Sequence, residues 1–140
     1  MKAERVFADT NLFLRYLTND VPVQADAVEQ LLHRASAGDI VLVINSLVVV
    51  EIVWTLESYY GLPRESVKNK ILAILNTPGL ETAEGDLLLQ AISWYADKNI
   101  DFVDAFNTAW VLAQGLAAIC TFDRKHFSRI EGIRVQVPGE

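Results

Sequence analysis

The chain has few of the residues that mark several common classes of protein. Its 140 residues include one cysteine, Cys120, and two histidines, which excludes an internal disulfide framework and leaves too few ligands for a structural zinc site. The longest apolar stretch, residues 40–56, contains Asn45, Ser46 and Glu51 and falls short of a membrane span. The opening MKAERVFADTN carries charges before any apolar run of signal-peptide length. We therefore expect a soluble, cytoplasmic protein with no membrane partner.

Basic residues are also scarce. Twelve Lys and Arg stand against 18 Asp and Glu, which gives a net charge of −6. A simple nucleic-acid-binding module normally carries a basic surface, so the charge argues against that class. It is compatible with an enzyme whose acidic site is neutralised by a metal ion. The seven glycines form no phosphate-binding loop, which argues against a nucleotide-binding fold.

Apolar, β-branched runs alternate with segments of helical period along the whole chain. Strands are predicted at 5–8, 40–44, 79–83, 117–121 and 133–137, and helices at 11–18, 23–36, 46–61, 63–77, 84–99 and 101–115. Continuous apolar strands separated by helices of this length favour a parallel sheet covered on both faces. We expect an α/β fold, three-layer α/β/α with a central, mostly parallel sheet of four to five strands, in a single domain over 1–140.

The segment SLVVVEIVWTLESYYG places one acidic residue, Glu51, in a run that is otherwise almost entirely apolar. Its length favours a helix with Ser46 as N-cap and Gly61 as terminator. A helix this apolar is expected to be largely buried, which would put Glu51 in an interior cleft. No Lys, Arg or His lies between Asp39 and Pro63 to pair with that carboxylate, and an ionised carboxylate buried without a partner is costly.

Other acidic residues stand at the ends of apolar runs. Asp9 follows RVFA, Asp123 follows ICTF, and Asp101 and Asp104 bracket the start of a helix. The carboxyl ends of parallel strands meet at one edge of the sheet, where ligands bind, so Asp9 and Asp123 are expected at the same edge with Asp104 nearby. Each residue also has a simpler interpretation as a helix cap or a solvated surface charge.

Gathered carboxylates repel one another. Two unit charges about 5 Å apart repel by about 3 kcal/mol at an effective dielectric constant near 20. Several such pairs would offset much of a typical folding stability of about 5–15 kcal/mol. A cluster of carboxylates therefore implies a divalent cation or raised pKa values. Ligation by oxygen alone selects Mg²⁺ or Mn²⁺ over zinc.

Four segments together resemble the four acidic motifs of PIN-domain ribonucleases, specifically the VapC-type toxins of toxin–antitoxin pairs. They are VFADTNLFLRYL, SLVVVEIVWTL, NIDFVDAFNTAWVLAQG and AAICTFDRKHF, in the order and spacing of that family. The resemblance implies that four carboxylates bind the metal and carry catalysis: Asp9, Glu51, Asp104 and Asp123. It implies auxiliary roles for Asp101, Thr10, Asn11 and Thr121. Asp101 and Asp104 are close enough that their assignments are interchangeable.

The resemblance further implies an Mg²⁺- or Mn²⁺-dependent endoribonuclease, a phosphodiesterase that is the toxin of a VapBC-type pair. Its expected partners are an RNA substrate, a cognate antitoxin and a second copy of the chain in a homodimer. Basic residues around an acidic site would hold the RNA, and Arg15, Arg124 and Lys125 are the candidates, with solvated surface charge as the alternative for each.

The sequence leaves two other interpretations open, one catalytic and one without catalysis. The histidines His33 and His126 permit metal-free acid–base cleavage of RNA. A receiver-like signalling module, or a silent PIN-like binding module, would also have an acidic metal pocket. The receiver needs a lysine at a late strand, and neither AAICT nor IRVQV supplies one.

Overall fold

The computed structural model describes residues 2–140. The described residues form five strands and seven helices, with two helices after each of the first three strands and one between the last two. The strands are β1 (Glu4–Phe7), β2 (Ile40–Val43), β3 (Leu80–Glu81), β4 (Ala118–Cys120) and β5 (Arg134–Gln136). The helices are α1 (Thr10–Thr18), α2 (Pro22–Ser36), α3 (Ser46–Ser58), α4 (Arg64–Leu75), α5 (Gly85–Asp97), α6 (Phe102–Ala113) and α7 (Arg124–Phe127).

The chain divides into two compact units, the first ending at Gly85 and the second beginning at Asp86. In the first unit the strands pair in the order β1-β2-β3, and both pairings are parallel. Leu42 of β2 lies between Val6 and Leu80 in register. Because the three strands run in one direction, their carboxyl ends all lie at the same edge of this sheet.

Helices cover the sheet of the first unit with apolar side chains. Helix α1 packs against α2 and α3, α3 packs against α4, and α2 packs against β2. The core residues of this unit that are almost completely inaccessible to solvent are Phe13, Leu42, Val49, Ile52, Leu56, Val67 and Ile71. Burying side chains of this size stabilises a fold by about 1.5–3 kcal/mol each, so this core holds the sheet edge in place.

The second unit has a two-stranded parallel sheet and its own core. Ile119 of β4 pairs with Val135 of β5. Tyr95 on α5 is completely buried, and its ring meets the ring of Phe102 edge to face with centroids 6.1 Å apart. Helix α6 packs against α7 and β4, so the start of α6 is fixed near the end of β4.

The mixed α/β class with parallel strands is confirmed. All five predicted strands form, and within the described residues they hydrogen-bond as a three-stranded and a two-stranded sheet. The cap of α3 differs from the prediction: Asn45, not Ser46, is the N-cap, because the Asn45 side chain accepts a hydrogen bond from the Val48 amide. Among residues 2–140, no helix combines the length and apolarity required to cross a membrane.

Candidate metal centre

Asp104 and Asp123 come together in the second unit, as the sequence predicts. Helix α6 carries Asp104 in its first turn, and Asp123 follows β4 as the N-cap of α7. Together with His126, each offers one ligand atom, and the three ligand atoms lie within 4.8 Å of one another. A pair of carboxylates and an imidazole at these separations is a suitable donor set for a divalent cation.

The cluster is held in place by backbone hydrogen bonds. The Asp123 carboxylate accepts from the Lys125 amide at 3.0 Å, and the Asp123 amide donates to the Thr121 hydroxyl at 3.0 Å. Thr121 therefore fixes the backbone turn after β4 that carries Asp123. Asp101 is the N-cap of α6, and its carboxylate accepts from the Asp104 amide at 3.5 Å. Asp101 thus fixes the helix turn that carries Asp104.

His126 is a member of the cluster that the sequence did not identify as one. Its Nδ1 lies 3.1 Å from Asp104 Oδ2, and both side chains are about a quarter exposed. His126 lies three residues after Asp123, so both project from one turn of α7. The spacing was visible in DRKH, but the contact with Asp104 joins residues 22 positions apart, which the sequence alone does not reveal.

Asp9 caps a helix in the first unit. Its carboxylate accepts a hydrogen bond from the Thr10 amide at 2.8 Å. Asp9 itself lies between the end of β1 and the start of α1. Thr10 is buried, whereas Asp9 and Asn11 are exposed. The capping interpretation of Asp9 is therefore correct, and it occupies one carboxylate oxygen only.

The predicted burial of Glu51 is wrong, because Glu51 is exposed. The buried face of α3 carries Val48, Val49, Ile52, Val53 and Leu56. The opposite stripe carries Leu47 and Trp54, which are 75% and 66% exposed, on either side of Glu51. Water solvates an exposed carboxylate, so Glu51 does not require a cation to offset a cost of burial.

Glu84 is a further acidic residue near the strand ends of the first unit, and no sequence pattern distinguishes it from other surface carboxylates. It follows β3, is partly buried, and accepts a hydrogen bond of 2.6 Å from the Ser46 hydroxyl. Ser46 is the first residue of α3. This bond ties the loop after β3 to the start of the helix that carries Glu51.

Two of the three basic side chains predicted to bind RNA form ion pairs with carboxylates. Arg15 bonds to Asp20 at 3.2 Å and to Gln24 at 2.9 Å. Arg124 pairs with Glu140, and Lys125 is exposed on α7. Arg15 and Asn11 also line a surface cleft of about 370 Å³ between α1 and α2. Exposed ion pairs are worth only about 0–1 kcal/mol, so these contacts hold the two arginines weakly.

A hydrogen bond from the Tyr60 hydroxyl, 2.9 Å long, is the largest influence that holds the pKa of Asp20 below its ordinary value. Thr18 and Arg15 act in the same direction, and partial desolvation opposes them. Because the folded pKa is lower than the unfolded one, this stabilisation is complete above the unfolded value of about 3.9. It is lost as the pH falls through the folded value.

We therefore expect Tyr60→Phe to lower Tm at pH 7 but not at the most acidic pH at which the fold persists. Thermal melts of the wild type and the variant across this range measure the difference. Tyr59→Phe is the control, since it removes a hydroxyl from the exposed neighbouring residue. An equal loss of Tm at every pH would mean that the Tyr60 hydroxyl does not act through ionised Asp20.

Comparison with known proteins identifies the family. A family model described as the PIN domain matches residues 6–133, and the chain therefore belongs to the PIN-domain family, whose fold is a three-layer α/β/α arrangement. The VapC ribonuclease of Aquifex aeolicus (strain VF5) is 23% identical to this chain over 117 residues, which are 84% of this chain and 86% of that protein. The predicted resemblance is confirmed.

Proposed function

We propose that this chain is an Mg²⁺- or Mn²⁺-dependent endoribonuclease and the toxin of a VapBC-type toxin–antitoxin pair. The observation that carries the proposal is the meeting of Asp104 and Asp123, with ligand atoms within 4.8 Å of one another, in a chain of the PIN-domain family. The similarity to a VapC ribonuclease supports RNA as the substrate.

Four carboxylates are proposed to hold the metal and carry catalysis: Asp9, Glu51, Asp104 and Asp123. The chemistry that such an ion supplies is Lewis-acid stabilisation of the negative charge that develops on a phosphodiester under attack by water. Thr121 and Asp101 fix the backbone turns that carry Asp123 and Asp104. Thr10 anchors Asp9 through its amide, and Asn11 is proposed as an auxiliary group beside it.

Arg124 and Lys125 are proposed to bind the phosphates of the RNA on either side of the cleaved bond. Both belong to α7 and follow Asp123 directly, so they lie within one helical turn of the proposed metal ligand. Arg15, which lines the cleft between α1 and α2, is proposed to bind another phosphate of the RNA. Positive groups around an acidic centre guide an anionic substrate toward it.

Further partners and the domain organisation belong to the same proposal. The stripe of α3 that exposes Leu47 and Trp54 is proposed as a surface for a homodimer or an antitoxin. By contrast, α5 buries Leu88, Ala91, Ile92 and Tyr95, so most of its apolar residues belong to the core. We also propose that 1–140 acts as one PIN-like domain in the cytoplasm, since the matched residues 6–133 include parts of both units.

RNA cleavage by the purified chain is expected to require a divalent cation. EDTA should abolish cleavage and added Mn²⁺ or Mg²⁺ should restore it, because the bound cation is the proposed source of charge stabilisation at the phosphate under attack. Asp104→Asn should reduce the rate by at least about tenfold. Gel assays on structured and unstructured RNAs measure both effects.

Asp86→Asn is the matched control, because Asp86 also lies in the first turn of a helix of the second unit. It should leave the rate unchanged. Cleavage that persists in EDTA would instead favour acid–base catalysis by His33 or His126. Metal binding without cleavage of any RNA would favour a silent or receiver-like binding module.

A further inference from the structure

We propose that His126 is a direct ligand of the metal ion, through Nδ1, and that it makes the centre select Mn²⁺ over Mg²⁺. This inference rests on the proposed function, since it concerns the same centre. It changes the expected chemistry of the site from oxygen donors alone to a mixed nitrogen and oxygen set.

The separations of the donor atoms support a shared ion. Donors on one octahedral ion with bonds of about 2.1 Å lie roughly 3 Å apart when adjacent and roughly 4.2 Å apart when opposite. His126 Nδ1 and Asp104 Oδ2 are 3.1 Å apart, and the three ligand atoms of the cluster lie within 4.8 Å of one another. A small closing movement of these side chains places all three donors on one ion.

The position of His126 also favours ligation. Phe127, the next residue, is buried and anchors α7, and the ring of His126 is directed at Asp104, with Nδ1 3.1 Å from Oδ2. His33 provides a contrast. It lies on α2 with its side chain 76% exposed, and it is 3.8 Å from one carboxylate, Glu29. Only His126 joins a group of three possible ligands within the described residues.

The type of donor atom determines which cation the site binds more tightly. Carboxylate and water oxygens suit Mg²⁺ and Mn²⁺ alike. Imidazole nitrogen is a softer donor that binds first-row transition ions, a series in which Mn²⁺ is the weakest binder and to which Mg²⁺ does not belong. Mg²⁺ also loses its water reluctantly and is usually held by one or two carboxylates. A neutral nitrogen ligand beside Asp104 and Asp123 therefore adds more to the binding of Mn²⁺ than to that of Mg²⁺.

Pulsed electron paramagnetic resonance on the untagged chain loaded with Mn²⁺ tests the ligand directly. We expect ¹⁴N coupling from a bound imidazole in the wild type, its loss in His126→Gln and its retention in His33→Gln. Glutamine preserves a group that can hydrogen-bond Asp104 but has no imidazole nitrogen. If His126→Gln fails to fold, retention of the coupling in His33→Gln still assigns it to His126, because the chain has only two histidines.

Affinities supply a second readout. Titration of free Mn²⁺, with Mg²⁺ as competitor, should show that His126→Gln weakens Mn²⁺ binding by about tenfold and Mg²⁺ binding by less than about twofold. His126→Asp should restore binding through oxygen and shift the preference toward Mg²⁺. No ¹⁴N coupling in the wild type, or equal weakening of both ions in His126→Gln, would show that the imidazole only orients Asp104 and would overturn the proposal.

The same samples separate this inference from the function on which it rests. Metal-dependent RNA cleavage without ¹⁴N coupling would reject His126 as a ligand and leave the ribonuclease standing. Nitrogen coupling without cleavage of RNA would retain the ligand and reject the ribonuclease. No binding of Mn²⁺ by the wild-type chain would overturn the ligand assignment as well.

Discussion

Asp9→Asn is expected to lower RNA cleavage by at least about a hundredfold, beyond the range that changes in the outer shell of a metal site usually cost. The substitution removes one negative charge and one of the carboxylate oxygens proposed to bind the metal. It leaves the local fold intact, because asparagine is as good an N-cap as aspartate and can still accept the hydrogen bond from the Thr10 amide. Initial rates at saturating Mn²⁺ measure the effect.

The capping role of Asp9 makes a paired experiment informative. Asp9→Ala removes both the charge and the cap, so it should match Asp9→Asn in cleavage but also lose about 1 kcal/mol of stability. Urea unfolding of both variants separates the two contributions. Normal turnover by Asp9→Asn would contradict a role for Asp9 in catalysis, even if Asp9→Ala were inactive.

Gly79→Ala is expected to be the most destabilising single-methyl change in the first unit, by about 3 kcal/mol or more. Gly79 has φ +84°, and an added Cβ would lie 2.2 Å from the Ala35 carbonyl oxygen, a backbone atom. The Gly79 carbonyl also accepts a hydrogen bond of 2.8 Å from the Leu42 amide of β2. Relieving the clash therefore strains either the end of α2 or the pairing of β2 with β3.

Gly38→Ala is the matched control, because Gly38 has the same φ of +84° and nothing lies within 4 Å of an added Cβ. It should lower the free energy of unfolding by about 1 kcal/mol, which is the cost of holding a residue with a side chain in the left-handed conformation. The difference between the two variants in urea unfolding measures the close approach to Ala35 alone. Equal losses at Gly79 and Gly38 would mean that the backbone at Ala35 moves aside freely.

Local patterns were sufficient to predict most of the secondary structure. Each of the five strands was evident as a short apolar or β-branched run, and Pro63 correctly indicated the start of α4. The capping interpretations of Asp9, Asp101 and Asp123 are all correct. These features depend on neighbours within a few residues, which the sequence displays directly.

Features that depend on tertiary packing were not accessible in the same way. Helix α3 is apolar on nearly every face, so its periodicity did not reveal that Glu51 lies on the solvent side. The contact of His126 with Asp104 and the bond from Ser46 to Glu84 connect residues far apart in the chain. Only the folded arrangement of α6 with α7, and of β3 with α3, brings these pairs together.

The single thiol of the chain has a practical consequence. Cys120 is exposed at the end of β4, three positions before Asp123. A maleimide fluorophore or nitroxide attaches at this one site without any cysteine engineering. Because Mn²⁺ is paramagnetic, it would broaden the spectrum of a nitroxide at Cys120 according to their separation, so a single labelled preparation would measure the distance from Cys120 to the bound ion.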